Sequence, residues 1–171
     1  MNNSEEIKII IATSDTHGDA NALEKLILQH EKTMSLLIHL GDGEAEFFQL
    51  KKQFAHLNMA MVKGNCDLDL LDSLPEIKIF QINEYVKIFA CHGHSFGVKQ
   101  NVENLTAAAK LENANIALFG HTHNKFLETK NNLTLLNPGS LSRPRSFGPS
   151  FAKILVKGEK FSVQICDMAI I

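Results

Sequence analysis

The sequence predicts an α/β protein with mixed β-sheets, and three features indicate this class. In the first half of the chain, strand-like apolar runs alternate with helical patterns, which is typical of units with parallel strands. In the second half, most strand-like runs follow one another across short turns, as in antiparallel hairpins. The hydrophobic fraction of 44 % and the length of 171 residues suit one globular domain, which we expect to span residues 1–171.

The first half is predicted to contain three strands and two helices. The continuous apolar run at 9–12 suits a strand that is buried on both faces. Leu23, Leu26 and Ile27 recur at helical spacing, and they follow Asp19, a residue type that caps helix N-termini. The predicted elements are a strand at 7–13, a helix at 20–30, a strand at 35–40, a helix at 45–54 and a strand at 59–62.

The second half is predicted to be richer in strands. Three turn signals join consecutive strand-like runs, namely Asn83-Glu84, Lys130-Asn131-Asn132 and Gly158-Glu159. The predicted elements are strands at 76–82 and 85–91, a helix at 102–113, and strands at 116–119, 125–129, 133–136, 151–157 and 160–165.

Charge and cysteine content restrict the partners and the compartment. The net charge is −2 and no basic stripe is visible, so we expect no duplex nucleic acid as a partner. Three widely spaced cysteines are a poor disulfide framework, which favours a reducing compartment. The N-terminus lacks the basic region of a signal peptide, and no apolar run reaches the about 18 residues that span a membrane. We therefore expect a cytoplasmic protein without membrane contact.

Side chains that bind metals follow five of the predicted strands. The first residues of consecutive groups lie 23 to 29 positions apart, which is the length of one strand, its return and the next strand. Because ligands of open α/β sheets bind outside the carboxyl ends of the strands, we expect these side chains to meet at one edge. The candidate ligands are Asp15, His17, Asp42, Asn65, His92, His121 and His123.

The types of these side chains indicate a pair of divalent cations. Carboxylates mixed with imidazoles suit Mn, Fe, Zn, Ni or Co, and seven donors are too many for one tetrahedral zinc. Asp42 is the natural bridge, because a carboxylate can span two ions about 3.5–4 Å apart. Two such ions polarise a phosphoryl group and lower the pKa of a bound water, whose hydroxide attacks phosphorus in line. We therefore expect two divalent ions per chain, with Mn²⁺ preferred and Ni²⁺, Fe²⁺, Zn²⁺, Co²⁺ or Mg²⁺ as alternatives.

The chain resembles the calcineurin-like metallophosphoesterases in five motifs that occur in the family's order: Asp15-x-His17, Gly41-Asp42, Gly64-Asn65, His92 and Gly120-His121-Thr122-His123. The short length and the stretch at 137–140 are similar to its small bacterial and archaeal phosphodiesterase branch. The resemblance implies a four-layer α/β/β/α sandwich with two mixed β-sheets. It implies one ion held by Asp15, His17, Asp42 and His123. It implies a second ion held by Asp42, Asn65, His92 and His121.

One position departs from the family pattern. Many members carry a histidine directly after the motif asparagine, which is thought to protonate the leaving group, and here that residue is Cys66. A thiol stabilises developing charge less well than an imidazolium, so we expect substrates with good leaving groups, such as aryl oxides, to be hydrolysed best. His94 is the nearest candidate to replace the missing histidine. Asn65, Cys66 and His94 are thus candidate catalytic and substrate-binding residues, and simple loop packing is an equal alternative for Cys66.

Several other polar residues are interpreted as structural. Arg143 is a candidate for binding phosphate oxygens, but surface or structural pairing is the favoured interpretation. Asp67 and Asp69 are interpreted as solvated loop carboxylates in preference to residues that tune the site. The stretch at 137–140 is expected to form a turn that supports the ligand loops. His39, within a strand pattern, is interpreted as a structural residue.

Three functions are compatible with these features of the sequence. The preferred one is a metal-dependent phosphodiesterase that acts on small phosphoesters, with phosphomonoesterase or pyrophosphohydrolase activity as alternatives on the same chemistry. The second is a binding scaffold, since the family resemblance includes a retromer subunit with this fold. The third is a nuclease, which the absence of a basic stripe disfavours for long duplexes. A homodimer or homotetramer is compatible with the family, and the sequence does not determine it.

Overall fold

The structure is a computed structural model that describes residues 6–69, 74–145 and 147–168. Its helices and strands follow the predicted order closely. The elements are β1 (Lys8–Thr13), α1 (Ala20–His30), β2 (Leu36–His39), α2 (Glu44–Gln53), β3 (Met59–Met61), β4 (Ile77–Gln81), β5 (Lys87–Cys91), α3 (Glu103–Leu111), β6 (Ile116–Leu118), β7 (Lys125–Lys130), β8 (Leu133–Pro138), β9 (Ser150–Lys157) and β10 (Lys160–Asp167).

The strands form two mixed five-stranded sheets. The first sheet has the order β10-β9-β1-β2-β3, and the second has the order β4-β5-β6-β8-β7. In the first sheet β1, β2 and β3 are parallel, while β9 and β10 run antiparallel to their neighbours. In the second sheet β5, β6 and β8 are parallel, while β4 and β7 pair antiparallel at the two edges. The prediction of mixed sheets is confirmed.

Three apolar clusters separate four layers. The central cluster lies between the two sheets and includes Ile10 and Ile38 from one sheet and Ile88 and Leu118 from the other. A second cluster packs α1 and α2 on the outer face of the first sheet. A third cluster packs α3 on the outer face of the second sheet. The four-layer α/β/β/α sandwich is therefore confirmed, and the hydrophobic effect of these clusters holds its layers together.

The sequence prediction differs from the structure mainly at the ends of elements. β8 continues to Pro138, two residues past the predicted end, because Asn137 and Pro138 still pair with β7. A 3₁₀ turn at His94–Phe96 was not predicted, and glycines with φ of 102° and 68° flank it. Among the described residues, none of the helices has the length and apolar character needed to cross a membrane.

The parallel strands of both sheets end on the same side of the sandwich. Three strands of the first sheet, β1, β2 and β3, and two of the second, β5 and β6, run into the loops that carry the candidate ligands, and β8 ends beside these loops. Direct contacts join the two sets of loops, for example the hydrogen bond from His92 Nδ1 to the main-chain oxygen of Leu40 at 2.6 Å. The fold thus brings the carboxyl ends of six strands to one edge, as expected for a ligand site in an α/β protein.

Candidate metal centre

The loops that carry the candidate ligands have an unusual main-chain geometry. Asp15, His17, Asp42, His121 and His123 have φ values of 57°, 45°, 57°, 66° and 59°. They make up half of the non-glycine residues with positive φ in the part of the chain that the structure describes. Residues other than glycine rarely adopt positive φ, and those that do are concentrated at functional sites.

One group of donors consists of Asp15, His17 and His123. Asp15 Oδ1 lies 3.2 Å from His123 Nε2 and 3.8 Å from His17 Nε2. The two imidazole Nε2 atoms are 3.2 Å from each other. Asp15 is fully buried, and its Oδ1 has no hydrogen-bond partner among the described residues. A buried carboxylate oxygen without a partner is costly, so this group needs a further positive partner.

A second group consists of Asp42, His92 and His121, whose donor atoms lie within 4.8 Å of one another. Asp42 Oδ2 is 3.4 Å from His92 Nε2, and Asn65 Oδ1 is 3.2 Å from the same nitrogen. Asp42 Oδ2 is also 3.8 Å from His17 Nε2 in the first group. Asp42 therefore lies between the two groups.

The two groups are parts of one cluster. The main-chain N–H of His121 donates to Asp15 Oδ2 at 3.1 Å, which joins the first and the fifth ligand loop. All seven residues that the sequence singled out as ligands lie in this cluster. Close approach of the loops requires glycine at position 64, because a Cβ there would lie 2.2 Å from Asp42 Oδ1.

Hydrogen bonds to main-chain carbonyls orient two imidazole rings of the centre. His92 Nδ1 donates to Leu40 O at 2.6 Å, and His123 Nδ1 donates to Arg143 O at 2.7 Å. A carbonyl oxygen only accepts, so the proton of each neutral ring is on Nδ1 and the lone pair of Nε2 faces the cluster. Neutral imidazoles oriented in this way, together with carboxylates, are the donors that transition-metal cations prefer. The residues present therefore fit divalent cations.

The carboxylates of the cluster carry negative charge. Burial alone would raise the pKa of Asp42, but the adjacent His92 imidazole and the hydrogen bond from the N–H of Cys66 hold the pKa below its usual range. Burial would likewise raise the pKa of Asp15, and its contact with His123 brings it below the usual value. Burial, followed by the charge of His92, lowers the pKa of His121 to about 4. Near neutral pH the cluster thus presents anionic carboxylates and a neutral His121.

Asp67 is a supporting residue whose role the sequence interpretation missed. Its Oδ2 accepts hydrogen bonds from the N–H groups of Asp42 and Gly64 at 2.9 and 2.7 Å, and its Oδ1 accepts those of Gly43 and Glu44, both at 2.9 Å. The interpretation of Asp67 as a solvated carboxylate is therefore wrong. One signal for this role was available in the sequence. The N-cap residue of α2 is Gly43, which has no side chain to accept hydrogen bonds from the first N–H groups of the helix, so another residue must accept them.

Other buried polar residues fix the first ligand loop. Glu46 accepts hydrogen bonds from Thr16 Oγ1 at 2.5 Å and from the N–H of Gly18 at 2.7 Å. His39 is fully buried and its Nε2 is 3.0 Å from Thr16 Oγ1, and burial lowers its pKa to about 4. The structural interpretation of His39 is confirmed. Glu46 was not predicted, because nothing in its helix distinguishes it from an exposed acid.

The stretch at 137–140 supports loops of both sheets, as the sequence indicated. Asn137 is fully buried, and its Nδ2 donates to Gly120 O at 2.7 Å and to Thr122 Oγ1 at 3.1 Å. Ser140 Oγ donates to the main-chain oxygen of Asp15 at 2.7 Å. Asn137 thus shapes the loop of His121 and His123, while Ser140 holds the loop of Asp15.

The remaining candidates line the rim of the cluster. Cys66 is exposed, and its thiol lies within 4.8 Å of donor atoms of His17 and Asp42. The ring of His94 is 5.5 Å from that of His92 between centroids, and its Nδ1 is buried with no partner among the described residues. The guanidinium of Arg143 donates to His17 O at 3.2 Å, and its main-chain N–H donates to Ser140 Oγ at 2.7 Å.

A cleft of about 650 Å³ opens beside the cluster on the side of α2. His17, Asp42 and Cys66 form the part of its wall that belongs to the cluster, and Phe48 and Leu68 provide apolar surface. A cleft of this volume is within the range of small-molecule sites.

Comparisons with known proteins identify similar sequences and folds. The model of the calcineurin-like phosphoesterase superfamily domain matches residues 8–159. The chain is 32 % identical over 163 residues to "Probable metallophosphoesterase YsnB" of Bacillus subtilis, with 94 % of this chain and 91 % of the relative covered. It is 28 % identical over 185 residues to "Phosphodiesterase YfcE" of Escherichia coli, with 96 % of each covered.

Two solved structures have the same fold. A predicted phosphoesterase from Streptococcus pneumoniae superposes with a TM-score of 0.81 at 28 % identity, covering 95 % of this chain and 90 % of that one. Vacuolar Protein Sorting 29 from Cryptosporidium parvum superposes with a TM-score of 0.72 at 19 % identity, covering 96 % of this chain and 99 % of that one. At such low identity the second likeness concerns the fold alone.

Proposed function

The chain belongs to the calcineurin-like phosphoesterase superfamily, and on that basis we propose that it is a phosphodiesterase that uses two divalent cations to hydrolyse small phosphoesters. The observation that carries the proposal is the convergence of carboxylates, an asparagine and oriented imidazoles from the loops after five strands on one cluster. The name of the relative YfcE supports a diester as the substrate.

The donors divide into two sets that share Asp42. The proposed ligands of one cation are Asp15, His17, Asp42 and His123. The proposed ligands of the other are Asp42, Asn65, His92 and His121. Bound there, two divalent cations would supply Lewis-acid charge to phosphoryl oxygens and lower the pKa of a water molecule.

The hydrolysis consumes one water molecule for each ester bond. The oxygen of water forms a new bond to phosphorus while the bond from phosphorus to the leaving oxygen breaks. The proton lost by water balances the proton gained by the leaving alcohol, so the products are a phosphomonoester and an alcohol. The contribution of the chain is to hold Asp42 with one oxygen toward both donor groups and the other on the N–H of Cys66 at 2.7 Å.

Four residues complete the proposed substrate site. Asn65, Cys66 and His94 are the proposed catalytic and substrate-binding residues: Asn65 Nδ2 is 3.2 Å from Cys66 Sγ, and the ring of His94 is 5.5 Å from that of His92. Cys66 and Arg143 also line the cleft beside the cluster. Cys66 replaces the histidine usual in the family, so hydrolysis is expected to depend strongly on the leaving group. Aryl oxides leave without full protonation and are the preferred leaving groups for an assay.

A binding scaffold is the second candidate. The feature that favours it is the exposed surface of β4, where Ile77 and Ile79 are 42 % and 36 % exposed. Two isoleucines are a small part of the surface that a stable interface covers, whereas the donor set of the cluster is complete. The cluster therefore favours an enzyme.

The decisive experiment measures hydrolysis of bis-p-nitrophenyl phosphate with added Mn²⁺. We expect turnover that a chelator abolishes and that Asp42→Ala lowers by at least about a hundredfold, because the substitution removes the shared carboxylate. Circular dichroism checks that the variant is folded, and Glu159→Ala, at an exposed residue of the turn between β9 and β10, is the control. Equal turnover by the wild type and Asp42→Ala would refute the proposal. Rates on p-nitrophenyl phosphate and pyrophosphate decide between diesterase, monoesterase and pyrophosphohydrolase.

A further inference from the structure

A second cleft, of about 600 Å³, lies on the other flank of the cluster. It runs between the segment that leads into α3 and the first half of β7. Its walls include Lys99, Gln100, Asn101, Phe126 and Arg145. We call it the cationic cleft, after Lys99 and Arg145.

The cationic cleft is continuous with the metal centre. Thr122, which stands between the proposed ligands His121 and His123, forms part of its wall. The main-chain N–H of Arg145 donates to His123 O at 3.3 Å. A group bound in this cleft would therefore lie next to the centre.

Two positive charges in the cleft are available to a ligand. Lys99 and Arg145 are exposed, and neither has an ion-pair partner in the ranges 6–69, 74–145 and 147–168. A third cation in the lining, Lys125, is already paired with Asp167. The acidic side chain in the lining of the cationic cleft is Glu128. Glu128 also borders a third cleft, whose lining includes Lys110 and Lys130. The end of the cationic cleft nearest the centre is thus positive.

The cleft on the side of α2 has a different character. It shares no lining residue with the cationic cleft, and its wall includes the apolar Phe48 and Leu68. Acidic side chains outnumber the basic ones in this wall, which includes Asp42, Glu44, Glu46 and Asp67 but only Lys52 and Arg143. An apolar or aromatic substituent therefore suits the α2 side better than an anion does. A phosphodiester with its phosphorus at the centre has two substituents, so each flank has room for one of them.

We propose that the cationic cleft is a subsite for a second phosphate group, carried by one substituent of the phosphodiester. Lys99 and Arg145 would bind this phosphate through charge-assisted hydrogen bonds, and the cleft beside α2 would receive the other substituent. The inference rests on the proposed function. It narrows the substrate class to diesters that carry a further phosphate, such as those of a phosphorylated nucleoside.

A matched pair of substrates tests the subsite. Thymidine 5′-(p-nitrophenyl phosphate) and its 3′-phosphorylated form release the same p-nitrophenol and differ in one phosphate group. We expect a value of kcat/KM about tenfold higher for the 3′-phosphorylated form, mainly through a lower KM, which is the gain expected from a charged hydrogen-bonded contact. In Lys99→Gln/Arg145→Gln the ratio of the two values should fall to about one.

Two further variants separate a subsite from a general effect of charge. Lys110→Gln removes a positive charge from the neighbouring cleft and should keep the tenfold preference. Lys99→Arg/Arg145→Lys keeps both charges and should retain most of the preference. Loss of the preference in Lys110→Gln as well would overturn the subsite in favour of net charge.

Binding without turnover separates failure of the subsite from failure of the proposed function. Calorimetry on the Mn²⁺-loaded protein compares thymidine 3′,5′-bisphosphate with thymidine 5′-phosphate. Tighter binding of the bisphosphate by the wild type, lost in Lys99→Gln/Arg145→Gln, supports the subsite even if neither ester is hydrolysed. Absence of hydrolysis would count against the diesterase and not against the subsite. Hydrolysis of both esters with equal kcat/KM, and equal binding of both nucleotides, would overturn the subsite and leave the diesterase intact.

Discussion

The loops of the two sheets contribute different chemistry to the same cluster. The first sheet supplies both carboxylates, the asparagine and a single imidazole, on the loops after β1, β2 and β3. The second sheet supplies three imidazoles, His92, His121 and His123, on the loops after β5 and β6. Carboxylates are donors for any divalent cation, whereas imidazole nitrogens are donors that favour transition metals over magnesium or calcium.

The two halves are also held in different ways. In the first half, carboxylates bind main-chain amides, as Asp67 does at four N–H groups and Glu46 does at Gly18. In the second half, main-chain carbonyls bind the imidazoles, as Leu40 O does at His92. The first arrangement fixes the path of the chain, and the second fixes the rotation of a ring. Disruption of the first half should therefore displace several ligands at once.

The largest effect is expected from Asp67→Asn. An amide has one acceptor oxygen where the carboxylate has two, so two of the four N–H groups would lose their partner. We expect the free energy of unfolding to fall by about 2–4 kcal/mol, and the affinity for Mn²⁺ by about a hundredfold. Chemical denaturation and Mn²⁺ titration by calorimetry measure the two quantities.

Asp69→Asn is the control within the same loop. Asp69 binds Lys63 Nζ at 3.3 Å and the N–H of Leu74 at 3.0 Å, away from the loop of Asp42. Its replacement should lower stability and leave Mn²⁺ affinity within about threefold of the wild type. If both variants lose metal affinity equally, the loop acts as a whole and Asp67 has no special part in positioning Asp42.

A smaller effect is expected in the second half from Asn137→Ala. The substitution removes the hydrogen bonds to Gly120 O and Thr122 Oγ1 and leaves a small cavity. Mn²⁺ affinity should fall by about tenfold, because His92 is held independently of this loop.

Asn115→Ala is the matched control for Asn137→Ala. Asn115 Oδ1 accepts a hydrogen bond from the N–H of Lys87 at 2.8 Å, and the residue lies at the start of β6, at the opposite end from the ligand loops. It should lower stability without an effect on metal binding. A loss of metal affinity in Asn115→Ala similar to that in Asn137→Ala would mean that the second half responds to stability alone.

The ligand cluster could be predicted from the sequence because its residues recur at strand ends. A carboxylate or imidazole such as Asp42 or His121, next to glycine after a buried strand, is visible in the letters alone. The parallel pairing of β1, β2 and β3, and of β5, β6 and β8, then brings those ends together. Regular strand spacing and strand direction are thus enough to predict which remote residues meet.

The supporting residues could not be predicted in the same way. Asp67 and Glu46 bind main-chain N–H groups, and although Gly43 indicates that the first amides of α2 need a partner, the sequence does not show which acid supplies it. Which amides lack a partner depends on where a loop meets a helix, which only the tertiary structure determines. The same holds for the 3₁₀ turn at His94–Phe96, which two glycines in left-handed conformations make possible.

The smallest effect is expected from Arg143→Ala, at the junction of the two halves. The backbone of Arg143 accepts from His123 Nδ1 and donates to Ser140 Oγ, and both bonds survive loss of the side chain. The guanidinium contributes one exposed hydrogen bond to His17 O at 3.2 Å. We therefore expect kcat/KM on bis-p-nitrophenyl phosphate to fall about threefold, through kcat more than KM. A rise in KM of tenfold or more, not rescued by Arg143→Lys, would instead identify Arg143 as a bidentate phosphate ligand, because only a guanidinium forms that pair.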